Sequence, residues 1–326
     1  MIQFLPLIKD TEAYRTVKND RDFGRLSHAY LILSADGDNL LEYLKVIAKL
    51  MVCDNDEPCN KCRSCSLIDA GGHADVYFYP KKETVLVEDV NSLIEESYLK
   101  PIETNKKIFI VNHAETMNAS AQNKLLKTLE EPPKNVHIIL GATSEFPLLP
   151  TVKSRVKKLE IPFFTADKLF EVLNSEYPDV ERLKSAIACG DGTVGKTVSL
   201  YSDDGLKTLA ELIKDVLINM KSSKDVLYYS TKITASKCEL SQFLSVLEVY
   251  LRDLLLISQG REDLVSDKTS ISVLKKAERF NTGAILHALE SITEANKRKK
   301  FNANPTILIE WLLFQILEGK YKWQKS

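Results

Sequence analysis

Residues 28–50 read HAYLILSADGDNLLEYLKVIAKL, and the fold is decided there. HAYLIL is a β-rich apolar run, SADGDN a tight polar loop containing Gly37, and LLEYLKVIAKL an apolar helical pattern. A strand that delivers a loop to the start of a helix is the opening unit of a nucleotide-type α/β fold. The alternation continues outward through DVYFYP (75–80), DVNSLIEESYL (89–99), KKIFIVN (106–112), SAQNKLLKTLEE (120–131) and VHIILGAT (136–143). Short strands alternating with helices predict a parallel sheet with helices on its faces. The nearly continuous apolar runs KIFIVN and VHIIL predict its central strands. Ser120 is expected to cap the helix that Pro132-Pro133 ends.

Beyond residue 163 the β signal fades. TADKLFEVLNSEYPDVERLKSAIAC (165–189) has a helical pattern with Thr165 at a capping position. In ELSQFLSVLEVYLRDLLLI (239–257), Leu240, Phe243, Leu244, Leu247, Leu251, Leu254 and Leu255 keep helical spacing,. ILIEWLLFQIL (307–317) is apolar enough for a central or interface helix. Three regions are expected: an α/β domain over 1–163, a small helical unit over 164–205, and an all-helical C-terminal domain over 206–326.

The chain has 326 residues, 44% hydrophobic and 27% charged, with a formal net charge of -1. That length accommodates two or three domains, and that charge gives no bulk attraction to DNA or membranes. MIQFLPLIKDTEAYR at the start lacks the basic-then-apolar pattern of a secretion signal, and no run is long enough to span a bilayer,. A cytoplasmic protein is expected.

Residues 190–197, GDGTVGKT, match the phosphate-loop pattern G-x-x-x-x-G-K-[ST],. Helical patterns flank them on both sides, so the delivering strand is missing, and no strand ending in Asp-Glu follows to hold magnesium. A glycine-rich turn between two helices is the expected reading. The place topologically suited to such a loop is SADGDNLL, where Ser34 and Gly37 remain but Asn39, Leu40 and Leu41 stand where Gly-Lys-Thr should. Neither ammonium nor hydroxyl is supplied, and Asp36 and Asp38 would repel a triphosphate. KKIFIVN ends in Asn112-His113 rather than Asp-Glu. Both halves of an ATP site are missing together.

Four of the six cysteines, Cys53, Cys59, Cys62 and Cys65, follow the spacing C-x5-C-x2-C-x2-C. Four thiolates close a tetrahedral zinc site without room for water, which makes the expected zinc structural. PCNKC and HAE (113–115) echo parts of a zinc deaminase signature, but in reversed order and with cysteines in excess,. Cys189 and Cys238 stand alone. NKRKKF (296–301) reads as a solvated helix end, with a phosphate or partner contact as the alternative. His73, His113 and His137 have no ligand or triad spacing, Leu125, Leu126 and Leu129 share one helical face, and Lys124 and Lys127 point outward.

RLSHAYLI (25–32), the cysteine cluster, NKLLKTLEEPP (123–133) and LLPTVKSRV (148–156) stand in an order and spacing that resemble one family. Over residues 20–163 the chain resembles the clamp-loader subunits of bacterial replicative DNA polymerases, within the AAA+ class. The resemblance implies an α/β AAA+ core, a helical lid over 164–205 and a C-terminal helical collar over 206–326. Ser154-Arg155 matches the family's Ser-Arg-Cys element, with Val156 in the Cys position. From the residues alone, Arg155 either pairs with a nearby carboxylate or projects outward. The resemblance implies that it enters the ATP site of a neighbouring subunit as an arginine finger. It further implies that Gly195 replaces a sensor arginine of the family's ATPases. Loss of both ATP motifs with retention of Ser-Arg resembles a member that does not hydrolyse ATP. Its implied partners are the gamma/tau ATPase subunits, a delta subunit, the sliding clamp and primed DNA. An active AAA+ ATPase and a free-standing zinc nucleic-acid-binding module are the rival readings.

Overall fold

A computed structural model describes residues 2–322 apart from 83, 203–204, 237–238, 267–269, 278–279 and 301–302. Cys238 and Phe301 therefore lie outside the described residues. The chain forms two compact units, one of residues 1–176 with 192–195 and the other of residues 177–191 with 196–326.

The first unit is built on five parallel strands: β1 (Ala29–Ser34), β2 (Val76–Tyr79), β3 (Lys107–Val111), β4 (Val136–Ala142) and β5 (Lys157–Ile161), in the order β2-β3-β4-β1-β5. As expected, β3 and β4 are interior and every one of their residues is buried. β1 pairs with β4 through Leu31 opposite Leu140, and with β5 through Tyr30 opposite Lys157 and Ser34 opposite Ile161. Strand β5 was not legible as an apolar run, because KKLEI buries only Leu159 and Ile161. An edge strand needs only one apolar face, and the lysines on it discourage pairing with another chain.

The helix Leu40–Val52 lies over the sheet with Leu40, Tyr43, Leu44 and Ile47 inaccessible to solvent. Gly141 on β4 sits beneath it, where a Cβ would collide with the Leu44 side chain. On the helix Ala119–Glu130, Leu125 and Leu129 are buried and Leu126 half-buried, while Lys124 and Lys127 are exposed. Its cap differs from the expected Ser120: the Asn118 side chain accepts the Ala121 N–H at 2.9 Å, so the helix begins one residue before Ser120. Thr165 caps Ala166–Leu173 as expected, accepting the Lys168 N–H.

The second unit is all-helical among the described residues. Phe243, Leu244, Leu247, Leu251 and Leu254 are buried, and Leu240 and Leu255 half-buried, on the helix Leu240–Ser258. This face packs in one core with Leu308, Leu312, Leu313 and Ile316 of the helix Pro305–Lys322. Of GDGTVGKT, residues 190–193 follow the helix Val180–Cys189 and turn through Asp191 and Gly192 at φ of 48° and 85°, and residues 194–197 open the helix Val194–Ser202.

Candidate functional site

The loop after β1 carries a buried carboxylate. Asp36 is 4% exposed and accepts the N–H groups of Val194 at 3.0 Å and Gly195 at 3.2 Å, the first two residues of the helix Val194–Ser202. Tyr43 donates its hydroxyl to the same carboxylate at 2.7 Å, and the Asn39 amide donates at 3.2 Å. Burial, followed by the Asp36 charge, drives the Tyr43 hydroxyl far above its ordinary pKa, so it stays a donor. Asn39 stands at the capping position of Leu40–Val52, yet its side chain makes no capping bond to that helix. The start of a helix exposes N–H groups that need an acceptor and a partial positive charge that favours an anion. Asp36 supplies both from within the chain.

The approach is close. A Cβ on Gly195 would lie 2.7 Å from Asp36 Oδ1 and 2.8 Å from Asp38 Oδ2, so a glycine is required there. The space beside Asp36, lined by Ser34, Phe163, Phe164, Gly192 and Thr193, measures about 30 Å³. That is room for about two waters, where small-molecule pockets run to roughly 300–1,000 Å³. Leu40 fills the loop's far end and is fully buried. At the end of β3, His113 Nδ1 lies 3.1 Å from Glu115 Oε1, to which Thr143 donates at 2.7 Å. Burial pushes the Glu115 carboxyl up, but hydrogen bonds from Thr143, its own backbone and His113 outweigh it and hold the group below the usual range.

Arg155 lies just before β5. Its Nη2 pairs with Glu130 Oε1 at 2.7 Å, and its Nη1 donates to the Thr151 carbonyl at 2.9 Å and to Ser154 Oγ at 3.2 Å. The arginine side chain is 34% and the glutamate 48% exposed. His28, Leu129, Glu130, Ser154 and Arg155 line an open depression of about 480 Å³.

The four clustered cysteines converge. Their Sγ atoms all lie within 4.8 Å of one another, with Cys53 and Cys62 at 3.9 Å. A tetrahedral metal with bonds of about 2.3 Å to sulfur requires S···S separations of about 3.8 Å, so the set fits such an ion. Helix ends present the sulfurs: Cys53 follows Leu40–Val52, Cys62 caps Arg63–Asp69, and Cys65 lies in that helix's first turn. The backbone N–H groups of Lys61 and Cys62 draw the Cys59 thiol down to about 6, close to a thiolate at neutral pH. Burial pushes the Cys65 thiol up, a cost that a bound cation would offset. Lys49 ties the cluster to the helix Leu40–Val52 through Asn60 Oδ1 at 2.9 Å, and Arg21, on the helix Glu12–Asp22, donates to the Asn55 and Asp56 carbonyls.

Residues 9–165 match the sequence model of the family described as DNA polymerase III, delta subunit. The chain is 30% identical to the DNA polymerase III subunit delta' of Bacillus subtilis (strain 168), over 94% of either chain. The chain belongs to the delta' family of bacterial DNA polymerase III. To the subunit tau of the same organism it is 22% identical, over 98% of this chain and 62% of that one. A solved gamma subunit-related protein from Thermotoga maritima aligns at a TM-score of 0.42 with 19% identity, over 95% of this chain and all of the other.

Within this delta' family member, the residues singled out in sequence fall into three places. Ser34 ends β1, Gly37 and Asn39 lie in the loop with Asp36, and Leu40 and Leu41 open the following helix; Ser154 and Arg155 lie in the surface depression, and the four cysteines form their own cluster. The roles of Tyr43 as a donor to Asp36 and of Glu130 as the partner of Arg155 were missed. Tyr43 lies one helical turn beyond Asn39, a spacing that places both over the loop. Nothing local marks Glu130, which is 25 residues from Arg155 in sequence. His137 Nδ1 meets the Ser27 carbonyl at 2.8 Å, and His73 Nδ1 accepts the Asp75 N–H at 3.0 Å, both structural bonds. In the basic run, Arg298 pairs with Glu294 and lies 4.2 Å over the Trp311 ring. No described helix is long and apolar enough to cross a membrane.

Proposed function

We propose that this delta' family member is a non-hydrolysing subunit of the clamp loader, which lends Arg155 to the ATP site of a neighbouring subunit. The observation that carries the reading is the buried Asp36 carboxylate: the loop after β1 presents a negative charge where a triphosphate would have to sit, and it is committed to the N–H groups of Val194 and Gly195,. The space of about 30 Å³ beside it and Leu40 and Leu41 in place of an ammonium and a hydroxyl both count against a nucleotide in this loop. The placement of Arg155 supports the other half. It precedes β5, whose first residue pairs with Tyr30 near the start of β1, whereas the loop follows Ser34 at the end of β1. Four residues of strand separate the two, on the order of 13 Å, and this distance from its own loop supports a role for Arg155 toward another chain. A permanently charged planar guanidinium suits the transfer of a γ-phosphoryl group, where such fingers contribute on the order of 10³ to 10⁵ in rate.

The same reading takes the gamma/tau and delta subunits as partners, with the sliding clamp and primed DNA met through the assembly. It takes zinc as the ion of the four cysteines, in a structural role. Residues 1–163, 164–205 and 206–326 serve as AAA+-like core, lid and collar.

The test is reconstitution with the family's ATPase subunits. Arg155→Ala is expected to keep assembly and metal content while lowering DNA-stimulated hydrolysis, and the isolated chain is expected to show no micromolar ATP binding. Unchanged hydrolysis at every site, or magnesium-dependent turnover by this chain alone, would refute the proposal.

A further inference from the structure

We infer that Glu130 is a latch on Arg155: it holds the guanidinium against this subunit's own surface until a phosphate oxyanion on the neighbouring subunit displaces it. The inference rests on the reading of Arg155 as a finger in trans.

Glu130 is the last residue of the helix Ala119–Glu130, which Pro132-Pro133 prevents from continuing, so its carboxylate is carried at a fixed helix end,. Arg155 is held on its other side by the Thr151 carbonyl and Ser154 Oγ, both from the short turn that precedes it. Both terminal nitrogens of the guanidinium therefore already have acceptors within the chain. Bidentate recognition of a phosphate needs two parallel N–H groups pointing outward. Of the five guanidinium N–H groups, both on Nη1 face Thr151 and Ser154 and one on Nη2 faces Glu130 Oε1 at 2.7 Å, so swinging the guanidinium outward to present a parallel pair requires the Glu130 bond to break. Glu130 also opposes a phosphate that approaches the same guanidinium, since two anions so close repel by about 1 kcal/mol in water and several times that in a partly desolvated interface.

The pair is suited to exchange. With the side chains 34% and 48% exposed, it falls among surface ion pairs, whose strength corresponds to a bias of roughly 1.5- to 5-fold. That is enough to hold the arginine aside in a resting complex and too little to resist a dianionic γ-phosphate presented by a closing interface.

The experiment uses the reconstituted loader, assayed without and with clamp and primed DNA. Glu130→Gln is nearly isosteric and lies at the surface, so folding is preserved; Glu130→Ala serves as a second variant and should act in the same direction. Both are expected to raise the unstimulated ATPase rate by roughly 1.5- to 5-fold and to leave the fully stimulated rate unchanged. The increase should vanish in an Arg155→Ala background, a coupling that simple loosening of the fold does not produce. If both variants leave the resting rate unchanged or lower it while Arg155→Ala still depresses the stimulated rate, the latch is wrong and the finger stands. If Arg155→Ala alters hydrolysis at no site, the finger falls and the latch with it.

Discussion

Replacing Asp36 with alanine tests whether an internal carboxylate organises the loop. The side chain is 4% exposed and serves four donors: the N–H groups of Val194 and Gly195, the Tyr43 hydroxyl and the Asn39 amide. Asn39 is half-buried and can turn toward water, but Tyr43 is inaccessible and Val194 and Gly195 are buried. Three buried donors would thus lose their acceptor, each at about 1–3 kcal/mol. Water entering the vacated volume and the neighbouring space of about 30 Å³ restores part of this. The expected loss is about 3–5 kcal/mol, and about 1–3 kcal/mol for Asp36→Asn, which keeps one acceptor oxygen. Urea unfolding followed by far-ultraviolet circular dichroism measures it, with each transition fitted separately because the chain has two compact units,. A cost below about 1 kcal/mol for the alanine variant would mean that these bonds do not hold the loop. The same variant is expected to remain unable to bind ATP, because emptying the site supplies neither lysine nor threonine.

Gly195→Ala should destabilise by about 1–3 kcal/mol in the same unfolding assay, since its Cβ would lie 2.7 Å from Asp36 Oδ1,. One zinc per chain is expected by atomic emission; Cys65→Ser should abolish it, and a chelator should lower the melting temperature of the wild type. Asp75 is buried and accepts N–H groups from Ile102, Glu103 and Thr104. Burial alone would raise its pKa, but these bonds outweigh it and hold the carboxyl below the usual range. Its contribution is therefore present above the unfolded pKa of about 3.9 and lost as pH falls through the lower folded value. Asp75→Asn should be less stable than wild type at pH 7, and urea midpoints measured at successively lower pH below about 4 should converge. Leu125→Ala, at a fully buried position, should cost about 2–5 kcal/mol by the same measure.

What was legible in the sequence is what depends on neighbours along the chain. β1, β3 and β4 announced themselves because strands buried on both faces must be apolar throughout,. The cysteine cluster announced itself because ligands on adjoining helix ends fall within a short spacing. β5 did not, since its alternation of lysine and glutamate with Leu159 and Ile161 covers only five residues. The start of Ala119–Glu130 was misplaced because Asn118 and Ser120 are both competent caps and only backbone geometry chooses between them,. Two decisive contacts were beyond reach, Arg155 with Glu130 and Asp36 with Val194. Asp36 meets Val194 across 158 residues, and no local signal reveals that one imperfect phosphate loop supplies the acceptor for the other. The sequence could show that Asp36 would repel phosphate, but not that it caps the distant helix Val194–Ser202.

That internal contact bears on how the subunit would work in a ring. In a loop that binds nucleotide, the arrangement follows occupancy and changes as the nucleotide turns over. If, as proposed, this loop binds none, the Asp36 contacts with Val194 and Gly195 keep it in one arrangement at any ATP concentration. β1 runs from the depression at Arg155 to the loop at Asp36 and pairs with β5 along its length, so a loop that does not cycle leaves the base of Arg155 on a sheet that does not cycle. A fixed base is what a finger needs when the changing partner is another subunit: the neighbour's closure then decides contact, and the remaining local variable is whether Glu130 still holds the guanidinium. On this argument, nucleotide added to the isolated chain should leave amide exchange in β1, β5 and the Arg155 turn unaltered, whereas assembly with an ATP-loaded neighbour should slow exchange at the turn. Nucleotide-dependent protection in the isolated chain would show that the loop senses ATP and would overturn the argument.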